Sequence, residues 1–256
     1  LCYYYGCVCR KYEWKFFARI RVFSSDFPPL YKFTNFFAKH LDLELTPSCI
    51  ISIKSEKLCN LILKYGGIYI MRKNFGAKPY TYPQPVFILA AYGSDGGVCT
   101  MNAAWGGISD GTELSMCISA GHKTTAAILE RGAFTVSMAD ADHTAACDYV
   151  GIVSGNNVPD KFDRAGFHAE KSDFVDAPII SELPITVECK LTSYDPDSCR
   201  MVGEIVNVSV DEKVLDSEGN VDVAKARPIT FDPFNNTYVV LGEVVGKAFH
   251  DGKALK

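Results

Sequence analysis

Val86 to Tyr92 is a run of strand formers, Ser94-Asp95-Gly96-Gly97 is turn chemistry, and Val98 to Ala104 resumes in extended form. An Asp-Gly step between two apolar runs folds a chain back on itself as an antiparallel hairpin. Two later runs, Ile185 to Tyr194 and Arg200 to Val210, repeat the pattern around Asp195-Pro196-Asp197-Ser198 and read as a second strand pair. The expected fold class is therefore mainly β.

The first hairpin ends in Asn102-Ala103-Ala104-Trp105, where small side chains beside a large aromatic leave room for a flat ligand to approach main chain. A core Trp105 packed over small neighbours is the plainer alternative. After a further strand comes Ser119-Ala120-Gly121-His122-Lys123-Thr124-Thr125, followed by TAAILERG. Ile128 and Leu129 are apolar, Glu130 and Arg131 polar, and Gly132 is a stop, so a short helix capped by Thr124 or Thr125 is expected. A helix start carries unpaired N–H groups and partial positive charge, and Lys123 adds a full charge, which together suit a phosphate. Here the plainer alternative is a surface helix with a solvated lysine.

The order of these pieces is similar to one family. Residues 71–256 resemble the flavin reductase-like proteins, FMN-binding split β-barrels that include the flavoredoxins. The resemblance runs through Pro85-Val86, Asn102 to Gly107, Ser119 to Thr125, Gly132-Ala133-Phe134-Thr135-Val136, Asp148 to Gly155, Asp160-Lys161-Phe162, Asp176-Ala177-Pro178, Leu183-Pro184, Glu188-Cys189, Val202-Gly203-Glu204-Ile205 and Leu241-Gly242. It implies a split barrel with peripheral helices. It also implies non-covalent FMN, with the ring against Asn102, Ala103, Ala104 and Trp105 and the phosphate among Ser119, Ala120, Gly121, His122, Lys123, Thr124 and Thr125. Many relatives carry a long basic side chain near Gly121 or His122; in this chain the phosphate charge would rest on Lys123, His122 and the helix end. A homodimer with the flavin near the subunit interface is implied as well.

Flavin chemistry resides in the cofactor, so no catalytic side chain is assigned. No nucleophile elbow, His-Glu-x-x-His pair, P-loop or Rossmann fingerprint is present in the sequence, so a nicotinamide donor would dock on the flavin itself. The leading expectation is an NADH- or NADPH-dependent flavin or ferric reductase. A flavoredoxin-like carrier between protein partners and a non-redox FMN-binding module are the alternatives.

The chain has 256 residues, 48% of them hydrophobic, and its mean hydropathy is near zero, as in a soluble globular protein. Its net charge of −4 hides a division: residues 1–70 hold ten Lys or Arg against five Asp or Glu, and the remainder 16 against 25. The acidic part argues against nucleic acid as a partner. No apolar run reaches the roughly 18 residues of a membrane span. Cys99, Cys117, Cys147, Cys189 and Cys199 are scattered through the second part, which fits a reducing cytoplasm without disulfides.

Residues 1–70 also carry 15 of the 31 aromatics and lack clean periodicity, and the first methionine is Met71. We read them as a translated leader upstream of a start at Met71, or as a disordered extension, with residues 71–256 forming the flavin reductase-like domain. Cys7-Val8-Cys9 lacks a second ligand pair for zinc. Among other residues, Asp142 is expected to cap a helix beginning near His143, and His143 is read as a surface residue rather than a proton or hydride relay. Ser154 to Asp160 is loop chemistry; the resemblance implies that it closes over the flavin or reaches across a dimer, and a plain connector is the alternative. Glu188 and Glu204 receive no catalytic role, Leu215 to Asn220 lacks calcium-loop spacing, and His168 and His250 read as surface histidines.

Overall fold

The computed structural model describes residues 72–256 and, for residues 1–71, the backbone of four strands only: β1 (Tyr5–Arg10), β2 (Glu13–Ala18), β3 (Glu44–Leu45) and β4 (Ile51–Ser52). Two compact units divide at Gly76 and Ala77. In the first, β1 pairs with β2 and β3 with β4, both antiparallel. Cys7-Val8-Cys9 falls in β1, whose side chains lie outside what the structure describes, as does the translated-leader reading.

The second unit is built on a seven-stranded antiparallel sheet. Its strands are β6 (Phe87–Tyr92), β7 (Val98–Ala103), β8 (Gly106–Asp110), β9 (Glu113–Cys117), β10 (Ala133–Met138), β13 (Ile185–Asp195) and β14 (Arg200–Val210), in the order β7-β6-β10-β13-β14-β9-β8. Both predicted hairpins are therefore present, β6 with β7 and β13 with β14. The two edge strands, β7 and β8, are joined by only Ala104 and Trp105. The three Cα–Cα steps from Ala103 to Gly106 span at most about 11 Å, so the sheet has to curl until its edges approach. Bulges between Glu188 and Cys189 and between Leu191 and Ser193 bend the long β13–β14 pair and assist that curl.

Alternation along β6 explains the layering. Phe87, Leu89 and Ala91 point into the barrel with Leu114, Met116, Phe134, Val136, Cys189 and Met201. Val86, Ile88 and Ala90 face the other way, onto Cys147, Val150, Phe162, Ile180 and Ile229. A strand buried on both faces reads as a continuous apolar run, as residues 86–92 do. Phe134 fills the barrel centre only because Gly203 has no side chain: a Cβ there would sit 2.5 Å from Phe134 Cζ.

Helices lie at the periphery, as expected: α1 (Lys123–Arg131), α2 (Thr144–Ile152), α3 (Lys161–Arg164) and α4 (Val223–Ala226). Shorter β11 (Ala169–Lys171) and β12 (Pro178–Ile180) pair together. A three-stranded sheet is made by β5 (Gln84–Pro85), β15 (Ile229–Asp232) and β16 (Thr237–Val240). Asp232 anchors it, accepting from the Tyr82 hydroxyl and from Phe234 N at 2.9 Å and Asn235 Nδ2 at 2.7 Å. These hydrogen bonds, that of Tyr82 foremost, hold the Asp232 carboxyl down at about 2. No helix of the described residues is long and apolar enough to cross a membrane.

Candidate functional site

After β9, Ile118 enters the core and the chain then emerges as the exposed segment Ser119-Ala120-Gly121-His122 before α1 begins at Lys123. This corrects the expected cap. His122, extended at φ −80°, ψ 137°, is the N-cap residue, and no side chain caps the helix. Thr124 and Thr125 are instead buried within the first turn. Thr125 is spent on structure: its Oγ1 donates to the Ser119 carbonyl at 2.9 Å, folding the loop back on the helix. A β-branched residue in the first turn can do this because its hydroxyl reaches the carbonyl of the preceding loop. The C-terminal end closes as predicted, with Gly132 at φ 66° donating to Ile128 O at 2.8 Å.

The first-turn amides of Lys123, Thr124 and Thr125 have no intrahelical acceptor by construction. The space beside the preceding Gly121 is open: even an added Cβ would meet only Ser119 Oγ at 3.8 Å. Lys123 is half-buried. The Ser154 to Asp160 loop proves to be a latch as well as a connector between α2 and α3: Asn156 Nδ2 donates to Gly121 O at 3.0 Å, and a Cβ on Gly155 would lie 3.5 Å from Lys123 Cβ. A second lysine, Lys161, lines a small cavity with Lys123, Thr124, Cys99 and Gly155. It is committed elsewhere, donating to Val150 O and Val153 O, both at 2.8 Å, at the end of α2. Burial lowers its pKa.

Helix α1 packs on β6 and β7, and Lys123 and Thr124 at its start line the small cavity together with Val98, Cys99 and Thr100, the first residues of the edge strand β7. An edge strand offers a row of main-chain donors and acceptors without a strand partner. Along it, Ala103 is buried in the barrel and Ala104 is half-buried. Asn102 turns its side chain toward α2, donating from Nδ2 to Cys147 O at 3.2 Å, close enough that a Cβ on Gly151 would be 2.9 Å from Asn102 Cβ. Its side chain thus holds α2 in place. Trp105 is no core residue: it is 58% exposed, and its carbonyl accepts from Cys117 N at 2.8 Å. It opens onto a groove of about 620 Å³ bordered by Ile108, Met116, Cys117, Asp195 and Arg200.

The remaining candidates resolve into structural roles. Asp142 does not cap α2. His143 is the N-cap residue, and the capping acceptor is Asp140, whose Oδ1 takes the His143 amide at 2.8 Å and the ring Nδ1 at 2.8 Å, while Asp142 pairs with Arg227. Glu188 is fully buried and accepts from Asn207 Nδ2 at 2.7 Å and from the Ser172 hydroxyl; that hydroxyl in turn accepts from Phe174 N and Val175 N. It organises the 172–175 turn. Glu204 is exposed. His168 and His250 are exposed as expected, with carboxylate partners at Glu182 and Asp251. Asp216 closes the 215–220 turn by accepting from Glu218 N and Asn220 N. Among the described residues no cluster has a metal-binding arrangement and all five cysteines are free. Burial pushes the Cys147 and Cys189 thiols up to about 12, so they act as small apolar groups. Sequence reading missed Lys161, Asp140, Asn156 and Asp232, whose roles depend on partners far along the chain or across a turn.

The flavin reductase like domain matches residues 80–228. Flavoredoxin of Desulfovibrio vulgaris (Miyazaki F) is 36% identical, with a TM-score of 0.68 over 71% of this chain and 100% of that one. Flavoredoxin from Methanosarcina acetivorans is 26% identical, with a TM-score of 0.64 over 73% and 100%. An FMN-binding domain of a flavin reductases-like enzyme from Shewanella baltica OS155 shares the fold at 20% identity, with a TM-score of 0.57 over 64% and 89%. Among curated proteins, an uncharacterized protein of Aquifex aeolicus (strain VF5) is 37% identical over 83 residues, 30% of this chain and 42% of that protein, so the match spans less than half of that relative. The curled sheet is the split barrel that the sequence led us to expect.

Proposed function

This chain belongs to the flavin reductase-like domain family, and on that premise we propose that it binds FMN non-covalently at the seam of the barrel and transfers electrons. One observation carries the reading: the uncapped start of α1, with Lys123, lies beside Val98 to Thr100 of the edge strand β7. A dianionic phosphate suits the first and a flat ring with donors and acceptors along its edge suits the second.

The residues fit the cofactor. Gly121 leaves the approach to the helix end open, no side chain competes for the first-turn amides, and Asn156 holds the loop in shape. Ser119 to Thr125 would take the phosphate, with Lys123 supplying the charge and the main chain most of the donors. Asn102 to Trp105 would take the ring through backbone groups, Trp105 shielding its outer side. Bound FMN supplies hydride and single-electron transfer. The polypeptide orients the ring, and no side chain of the site needs to move a proton.

We read the activity as an NADH- or NADPH-dependent reductase of flavin or ferric chelates. The likeness to two flavoredoxins favours a second reading, a carrier that passes electrons between proteins. A homodimer in the cytoplasm completes the proposal, supported by five free cysteines in the described residues and by the exposed Trp105 and Ile108 beside the seam.

The test is a fluorescence titration with FMN followed by steady-state oxidation of NADH and NADPH. Saturable quenching with turnover supports the reductase. Saturable quenching without turnover, alongside reduction by a ferredoxin-type protein, supports the carrier. Absence of FMN binding would remove both.

A further inference from the structure

After β16 the chain leaves the small sheet as a segment, residues 241–256, that is exposed throughout among the described residues. Leu241 is 43% exposed, Val244 86%, Val245 93%, Phe249 98% and Leu255 93%. Apolar surface of this extent on a short segment marks a contact face. The segment is nonetheless ordered internally. The Asp251 carboxylate accepts from Lys247 N at 2.7 Å, His250 N donates to Lys247 O at 3.3 Å, Lys253 N donates to His250 O at 2.9 Å, and Phe249 sits in the left-handed region at φ 61°. The Lys247 amide bond, the largest influence, holds the Asp251 carboxyl below its ordinary range. A preformed turn that displays Phe249 outward is built to be received by another surface.

That surface is present on the same chain. The groove beside β8 exposes Trp105 and Ile108 over Met116, and it carries Asp195 and Arg200. The segment presents Glu243-Val244-Val245-Gly246-Lys247, two apolar residues between an acid and a base. Apolar centre meets apolar centre, and each charged flank has an opposite charge available across the contact. A patch and its complement on one polypeptide generate a reciprocal two-fold pair when two copies exchange them.

We propose that residues 241–256 are an exchange arm that seats Val244, Val245 and Phe249 in the Trp105–Ile108 groove of a second copy. This rests on the homodimer reading above and names the surface that makes it. It places an element of the partner subunit against the outer side of Trp105, so each site is completed by the other chain's arm.

Light scattering on the full chain, with and without FMN, tests the arm. The unaltered protein is expected at twice its 28.2 kDa mass. Val245→Asp with Phe249→Asp on the arm, and Ile108→Asp in the groove, should each weaken dimerisation by at least about tenfold, the scale of a central interface residue. Circular dichroism checks that the barrel persists, and Val245→Ser with Phe249→Ser replaces the acidic pair if it does not. A variant that stays dimeric overturns the arm while leaving the homodimer reading intact. An unaltered chain of single mass overturns both, whether the arm folds onto its own groove or sediments with phosphatidylglycerol vesicles. Flavin retention is scored separately: a yellow monomer removes the arm and keeps the FMN reading, and a colourless arm-dependent dimer does the reverse.

Discussion

Asn156 reaches across from the α2–α3 connection and donates from Nδ2 to the carbonyl of Gly121 at 3.0 Å, so the loop before α1 is shaped by a residue 35 positions away. That bond holds the Gly121 peptide, while Gly121 N and His122 N donate back to Ser119 Oγ and Ser119 O, both at 3.3 Å, and the first-turn amides of α1 are left without an intrahelical acceptor. Asn156→Ala should leave the fold intact and raise the FMN dissociation constant about fivefold, the worth of one exposed hydrogen bond near 1 kcal/mol. Fluorescence titration beside a thermal melt checks it.

Lys123 and Thr125 should separate binding from stability. Lys123→Ala removes the cation at the helix start and is expected to weaken FMN about tenfold or more with little change in melting temperature. Thr125→Ala removes a buried bond to Ser119 and should cost about 1 kcal/mol of folding stability. Paired FMN titrations and urea curves on both variants decide; equal effects on both properties in both variants would contradict the division.

Gly203→Ala places a Cβ where Phe134 already lies. Overpacking a fixed aromatic in a barrel centre is expected to destabilise by about 1–3 kcal/mol. Adding Phe134→Leu should recover part of that loss, because the shorter side chain vacates the space. Urea unfolding midpoints of the single and double variants measure it.

Acid should weaken the small sheet through Asp232. Its carboxyl is held at about 2, below its ordinary 3.8, by Tyr82 first and then Asn235. The folded state therefore gains from the charged form above the unfolded pKa, and that gain fades as pH falls through about 2. Asp232→Asn should abolish this dependence, so the stability difference between the two proteins narrows between about pH 4 and pH 2. Denaturation midpoints across that window test it; a constant difference would show that Asp232 acts through packing alone.

Patterns that depend on neighbours in sequence were readable. The β6–β7 and β13–β14 hairpins announce themselves through alternation and turn residues, and Gly132 ends α1 where a left-handed residue is needed. Capping was misassigned at both helices for a common reason. Thr124 and Asp142 have the right chemistry for a cap, but the competing acceptors, Ser119 O for Thr125 and the Asp140 carboxylate for His143, are fixed by the fold. Trp105 illustrates the same limit, since nothing local distinguishes a core indole from one standing at a seam. Lys161 was invisible as an α2 terminator because its two acceptors lie eight and eleven residues upstream.

The link of Ala104 and Trp105 between the two margins of the sheet has a mechanical consequence. Because both lips of the opening are one uninterrupted piece of polypeptide, a guest that grips residues 98–110 tightens the entire ring, much as a clasp tensions a hoop. Occupancy would therefore be felt on the far wall, at β10 and β13, as slower amide exchange with no contact there at all.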